Sequence, residues 1–259
     1  MLPRAARAIL RRITAYRNLD RRVCSWRLEA LHARHTEISA ISSLDDSPGA
    51  PSPRLLQLLP VLAERALTAT LPLAHERCAP GIIDLWPGEH YRLLVALVQG
   101  LNPSRIVEIG TLTGLSSLAI IPLLTEGAQL TTFDIVPWHE VPNTFLRRED
   151  FARGNFIQVI GDLGDLAFAR SQAELLGSAD LIFVDAAKDG LFESRLLQNF
   201  AHVGLKSGAL LLFDDIRQWN MLETWRTIAH PKCDITSLGH WSGTGLVEWQ
   251  PNAITRRMR

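Results

Sequence analysis

An α/β fold built on a mostly parallel sheet is what this sequence predicts. Three observations predict it. Short apolar runs alternate with helix-periodic segments from Gly88 onward. Those runs repeatedly end on aspartates, at Asp134, Asp162, Asp185, Asp214 and Asp215. The chain has 259 residues with 47% hydrophobic and 21% charged side chains, enough to bury one large core. In a parallel sheet covered on both faces, ligands bind at the carboxyl ends of the strands, so these aspartates would gather along one functional edge.

The amino-terminal stretch "MLPRAARAILRRITAYRNLDRRVCSWR" carries eight arginines against one acid, Asp20. Ile9, Ile13, Tyr16 and Val23 recur at helical spacing, so residues 1–41 read as a basic amphipathic helical extension. Such a helix either docks on the body or on a second subunit as a homodimer contact, or meets an acidic partner or an anionic membrane surface peripherally. "SSLDDSPGAPSP" clusters turn formers and reads as a linker over 42–53. Residues 54–259 form the main domain, with 54–87 a lead-in of short helices punctuated by Pro60, Pro72, Pro80 and Pro87.

Within the core, 88–259, "GEHYRLLVALVQGL" is helical and stops near Asn102-Pro103, "RIVEIG" is a buried strand, and "GLSSLAIIPLL" is a helix. "QLTTFDIV" (strand), "TFLRREDFAR" (helix), "NFIQVIGD" (strand) and "LAFARSQAELLG" (helix) follow. "ADLIFVDAA" (strand), "LFESRLLQNFAHVGL" (helix), "GALLLFDDI" (strand) and "MLETWRTIAH" (helix) complete the alternation. "CDITSLGHW" and "GTGLVEW" flank a Gly-rich turn and predict a hairpin.

Basic and acidic side chains balance at 27 each, so no global charge points to nucleic acid. Cys24, Cys78 and Cys233 lie far apart, which argues for a reducing, cytoplasmic setting and against structural zinc or a disulfide framework. No apolar run reaches the roughly 20 residues of a membrane span, and the first residues lack the apolar centre of a signal peptide.

"VEIGTLTGLSS" joins the first strand to a helix. Gly110 and Gly114 permit a tight turn and close approach of a ligand, or serve packing alone. Ser116 and Ser117 flank the helix start, where free N–H groups suit an anion. Thr111 and Leu112 after Gly110 depart from a pyrophosphate fingerprint, which ranks a nicotinamide-dependent oxidoreductase low. Glu108 could accept from an ammonium group, so an amino-acid end suits this loop better than a dinucleotide. Asp134 stands where α/β nucleotide sites take ribose hydroxyls, and Asp162 could accept from an exocyclic amine. Both also read as surface carboxylates or helix caps.

"PGEHYRLLVALV", "VEIGTLTGLSSLAI", "FVDAAKD" and "GALLLFDDI" occur in order, and with them the chain from Gly88 to about Trp249 resembles a class I S-adenosylmethionine-dependent methyltransferase. It is most similar to the cation-dependent O-methyltransferases of the catechol and caffeoyl-CoA type. The resemblance implies a Rossmann-like seven-stranded sheet, mostly parallel, with a C-terminal antiparallel hairpin. It implies S-adenosylmethionine as cofactor and a small-molecule hydroxyl as acceptor. Glu108, Gly110 and Gly114 would shape the cofactor loop, Ser116 hold the methionine carboxylate, Asp134 the ribose and Asp162 the adenine side. Asp185 would lie near the methionine end and join Asp214 and Asp215 in binding Mg²⁺, and Lys188 would be the general base.

Asp215 departs from the Asn usual at that place. Three carboxylates without a cation would raise each other's pKa, and Lys188 can act as a base only if its own pKa is depressed. Trp219, Trp225, Trp241 and Trp249 could wall an acceptor pocket or simply pack the sheet, and His240 is a second candidate base. A metal-independent enzyme of the same fold, or a cofactor-binding scaffold that docks through its basic helix, is the alternative reading.

Overall fold

The computed structural model describes residues 43–85 and 88–251, so the predicted basic helix of 1–41 lies outside the described residues. Seven strands form one sheet in the order β3-β2-β1-β4-β5-β7-β6. They are β1 Arg105–Ile109, β2 Gln129–Asp134, β3 Phe156–Ile160, β4 Leu181–Val184, β5 Leu210–Asp214, β6 Lys232–Asp234 and β7 Thr244–Glu248. Strands β1 to β5 pair in parallel, while β7 runs antiparallel between β5 and β6. The predicted fold class is the observed one, including the antiparallel carboxy-terminal pair.

The central parallel strands β1, β4 and β5 are short, largely apolar runs because both of their faces are covered. Alternation sends Ile106, Leu130, Leu181 and Leu210 into one layer of core and Val107, Ile182 and Leu211 into the other. The first layer is completed by helices α1 (Pro53–Thr68), α2 (Pro72–Arg77), α3 (Pro80–Ile83), α4 (His90–Leu101) and α5 (Leu115–Ile120). The second is completed by α6 (Leu166–Ser171), α7 (Ala173–Ser178), α8 (Leu191–Val203) and α9 (Met221–Thr227). Asn102 closes α4 in the left-handed conformation at φ 45°, with its N–H returned to the Val98 carbonyl at 2.9 Å.

Two local expectations are corrected, and a third segment shows contacts that its sequence did not announce. Pro60 does not break the lead-in: α1 passes through it, because Leu55, Leu59, Leu62 and Ala66 form a buried stripe while Pro60 stands on the exposed face. "TFLRREDFAR" yields only a short 3₁₀ turn, Arg148–Phe151, where the buried Asp150 accepts both guanidinium nitrogens of Arg77 at 2.6 and 2.8 Å. That tertiary clamp outcompetes a helix of mixed, weakly patterned residues. The turn-rich segment read as a linker is anchored: Asp46 accepts from the indole N–H of Trp225 at 2.9 Å and from the Asp234 N–H at 3.0 Å. The Gly49 carbonyl accepts from the Lys232 N–H at 2.8 Å, so this segment fastens to the β6 edge.

Strand order reverses between β1 and β4, whose last residues Ile109 and Val184 lie side by side. Crevices open at such switch points, and the loops that follow these two strands carry the residues singled out above.

Candidate functional site at the carboxyl edge of the sheet

The first loop is shaped by close approach of two backbones. Gly110 has φ 103°, and a Cβ there would meet the Asp185 carbonyl oxygen at 1.9 Å. The Gly110 N–H donates to Phe133 O at 2.8 Å and the Asp185 N–H to Ile109 O at 2.9 Å, tying the ends of three strands together. Gly114 (φ 85°) is required by packing, since a Cβ would strike Leu146 at 2.3 Å.

Glu108 is wholly buried in β1 and accepts hydrogen bonds from Ser116 and, at 2.5 Å, from Ser117. Burial pushes its pKa up to about 7 against the pull of those hydroxyls. Ser116, expected to hold a ligand carboxylate, therefore turns inward on Glu108. Asp134 caps the crevice at the end of β2, accepting from the Leu112 N–H at 3.0 Å and the Val136 N–H at 3.1 Å. Those amides orient the carboxylate beside the Gly110 loop. Asp162 accepts from the Gly164 N–H at 2.9 Å in the next loop along the same edge.

The second loop, after β4, brings Asp185, Lys188, Asp214 and Asp215 into one cluster. The Lys188 ammonium lies 2.9 Å from Asp185 Oδ1 and 3.1 Å from Asp214 Oδ2, and also contacts Asp215 Oδ2. Burial works against its charge, but the three carboxylates dominate and raise the Lys188 pKa above the ordinary lysine value. The depressed pKa that a lysine base requires is thus not what this geometry produces. Asp185 is raised by burial, with Lys188 opposing. Burial would also raise Asp214, yet His90, His240 and Lys188 together hold it well below the carboxylate range.

Asp185, Asp214 and Asp215 present oxygens within 4.8 Å of one another, a hard donor set. The position between them, however, is taken by the Lys188 ammonium. With Lys188 there, the set does not fit Mg²⁺.

Several residues in this site were not legible beforehand. Glu193, 1% exposed at the start of α8, accepts from the Lys188 N–H at 2.7 Å and the Gly190 N–H at 3.0 Å. It thereby holds Lys188 at φ 61°, a conformation costly for a side-chain-bearing residue. Its signal was the Gly190-to-Glu193 spacing of a helix-capping acid. Ser242 donates to Asp215 and lies 2.6 Å from His240 Nδ1, and His90 Nδ1 stands 3.6 Å from Asp214 Oδ1. Burial drives the His90 pKa down, while His240, though burial opposes it, is raised to about 9 by Asp214 and Asp215.

Of the four carboxy-terminal tryptophans, Trp225 and Trp249 are core residues at 1% and 2% exposure. Trp241, 49% exposed beside His240, stands at the rim, and Trp219 is half-buried in the loop after Asp215.

Residues 107–216 match a family model described as a methyltransferase domain. Catechol O-methyltransferase B of Danio rerio is 27% identical over 128 residues, which are 48% of this chain and 47% of that protein. The chain thus spans about half the length of that curated relative. Among solved structures, an SAH-bound methyltransferase of Podospora anserina is 18% identical with TM-score 0.49, covering 88% of this chain and 97% of its own. An O-methyltransferase of Bacillus cereus in complex with SAH is 20% identical with TM-score 0.44, covering 72% and 88%.

Proposed function

We propose that this chain, whose residues 107–216 match a methyltransferase domain, transfers a methyl group from S-adenosylmethionine to a hydroxyl oxygen of a small molecule. The observation that carries the reading is the switch point itself. There Gly110 lets the loops after β1 and β4 pack backbone to backbone, the Asp134 carboxylate is held by loop amides in a way that suits a ribose, and Asp185 pairs with Lys188 in the adjoining loop. Glu108 and Gly114 support the loop from below, and Asp162 lies on the side that suits an adenine amine.

The bound cofactor supplies an electrophilic methyl on a sulfonium. The protein's own part is to place an acceptor oxygen in line and to remove its proton. Lys188, held as a cation, stabilises negative charge developing on that oxygen. Asp185 is the carboxylate at hand to take the proton, since its pKa already lies above the usual aspartate value. Trp241 at the rim offers an apolar face to a flat acceptor.

Calorimetric titration of the purified protein with S-adenosylmethionine and, separately, with NAD tests the reading. Saturable heat with S-adenosylmethionine and none with NAD is expected. Absence of a response to S-adenosylmethionine would overturn it. With a catechol acceptor, Asp185→Ala and Lys188→Ala should each lose most turnover; full turnover in both would retire the assigned chemistry while leaving cofactor binding in place.

A further inference from the structure

Asp214 is divided between two environments. Its Oδ2 is 3.1 Å from Lys188 Nζ and so belongs to the lysine cluster. Its Oδ1 is buried and has no hydrogen-bond partner, although it faces two imidazoles. Leaving a buried carboxylate oxygen unsatisfied is costly, so its surroundings call for an explanation. His90 Nδ1 lies 3.6 Å away and His240 Nδ1 3.5 Å away, both longer than a charge-assisted hydrogen bond of about 2.7–2.9 Å. Ligand atoms on a tetrahedral ion with bonds of about 2.0–2.1 Å are separated by roughly 3.3–3.4 Å. The observed spacing is that of atoms gathered round a metal rather than bonded to one another. The three ligand atoms all lie within 4.8 Å of one another.

We infer that His90, Asp214 and His240 form a binding site for a borderline divalent transition ion of the Zn²⁺ class. Two imidazoles and one carboxylate favour such an ion over Mg²⁺, which prefers oxygen alone. The site shares Asp214 with the three-aspartate set and adjoins it, since His240 Nδ1 is also 3.5 Å from Asp215 Oδ1; the two imidazoles are what set it apart. His90 is fixed from α4, its ring edge-on to Tyr91 with centroids 4.4 Å apart, and Asp214 is fixed at the end of β5. Ser242 Oγ lies 2.6 Å from His240 Nδ1 and donates to Asp215, so an ion taken up at that nitrogen displaces the Ser242 contact. Binding at that nitrogen expels any proton it carries, so ion uptake releases protons. His240 is the least enclosed of the three ligands, and exposed Trp241 follows it. A fourth position toward the rim is thereby left for water or an acceptor oxygen.

The inference stands apart from methyl transfer, because the ion is read without cofactor or acceptor. The full chain, stripped with EDTA and dialysed, is titrated with Co²⁺ while its visible absorption is recorded. One equivalent with the intense bands of a four-coordinate ion is expected. His240→Ala should weaken binding by more than about 100-fold and abolish the bands. His90→Gln, with circular dichroism to verify the fold, should do the same. Asp185→Asn, which dismantles only the three-aspartate set, should leave stoichiometry and spectrum unchanged. No stoichiometric Co²⁺ binding would overturn the inference. So would a Co²⁺ signal that survives His240→Ala but disappears in Asp185→Asn, which would put the ion among the carboxylates.

Discussion

Lys188 sits in a left-handed backbone conformation that only a fixed loop sustains, and Glu193 does the fixing with both carboxylate oxygens. Glu193→Ala would strand two N–H donors and cost about 1–3 kcal/mol. It would also let the ammonium drift from Asp185, so turnover should fall at least about tenfold while S-adenosylmethionine affinity holds. Urea unfolding and steady-state assay of the variant check this; unchanged turnover would show that the loop tolerates drift. At this scale the strand ends put Asp185, Asp214 and Asp215 on one edge, and the family resemblance implied Lys188 beside them; the four do meet. It could not say that Lys188 would be a cation among carboxylates rather than a base, since a pKa depends on distances between loops far apart in the chain.

Helices and strands were legible where period and burial agree. The central strands β1, β4 and β5 were legible because each is a short, largely apolar run buried along nearly all its length, a pattern that no amphipathic helix shares. Legibility failed where a side chain from elsewhere decided the outcome, as with Arg77 and Asp150 at residues 148–151. The contacts of 43–53 were likewise not legible, since clustered turn formers carry no sign of a distant partner. That segment carries Asp45 to the Arg226 Nε at 2.7 Å and Asp46 into a buried network with Trp225 and Asp234. Asp46→Ala leaves the Trp225 indole and an Asp234 amide without acceptors, and should cost about 2–4 kcal/mol. Thermal unfolding measures the loss; a change within about 0.5 kcal/mol would mean that the segment adds nothing to the sheet edge.

Across the whole molecule, stability should depend on pH through groups that burial has shifted. His230, 2% exposed and stacked on Trp249 with ring centroids 4.0 Å apart, has its pKa lowered from 6.5 to about 4 by burial. The unfolded chain therefore binds the proton more readily than the native one between those values. Stability contributed by neutral His230 is complete above about 6.5 and is lost as pH falls toward 4. Relative to His230→Gln, the wild type should lose on the order of 2–3 kcal/mol over that window. Glu108 and Glu193, each pushed up to about 7, run the other way: they favour the fold below 4.5 and lose that contribution as pH rises through 7. Denaturant midpoints of both proteins at pH 7 and pH 4.5 isolate the histidine; parallel loss in the two would exclude it.

Sequence by itself determined the sheet, its parallel sense and the edge at which the acidic residues collect. Those follow from local periodicity and from the rule that crossovers return each strand to the same end. Tertiary structure alone decided which oxygen meets which nitrogen. Lys188 falls among three carboxylates, Ser116 turns onto Glu108, and Asp214 Oδ1 is left facing His90 and His240. His90 and His240 are separated by 150 positions in the chain, and no pattern in either neighbourhood marks them as partners. They meet because α4 and the segment before β7 pack at the end of β5, an outcome of the folded core rather than of any local stretch.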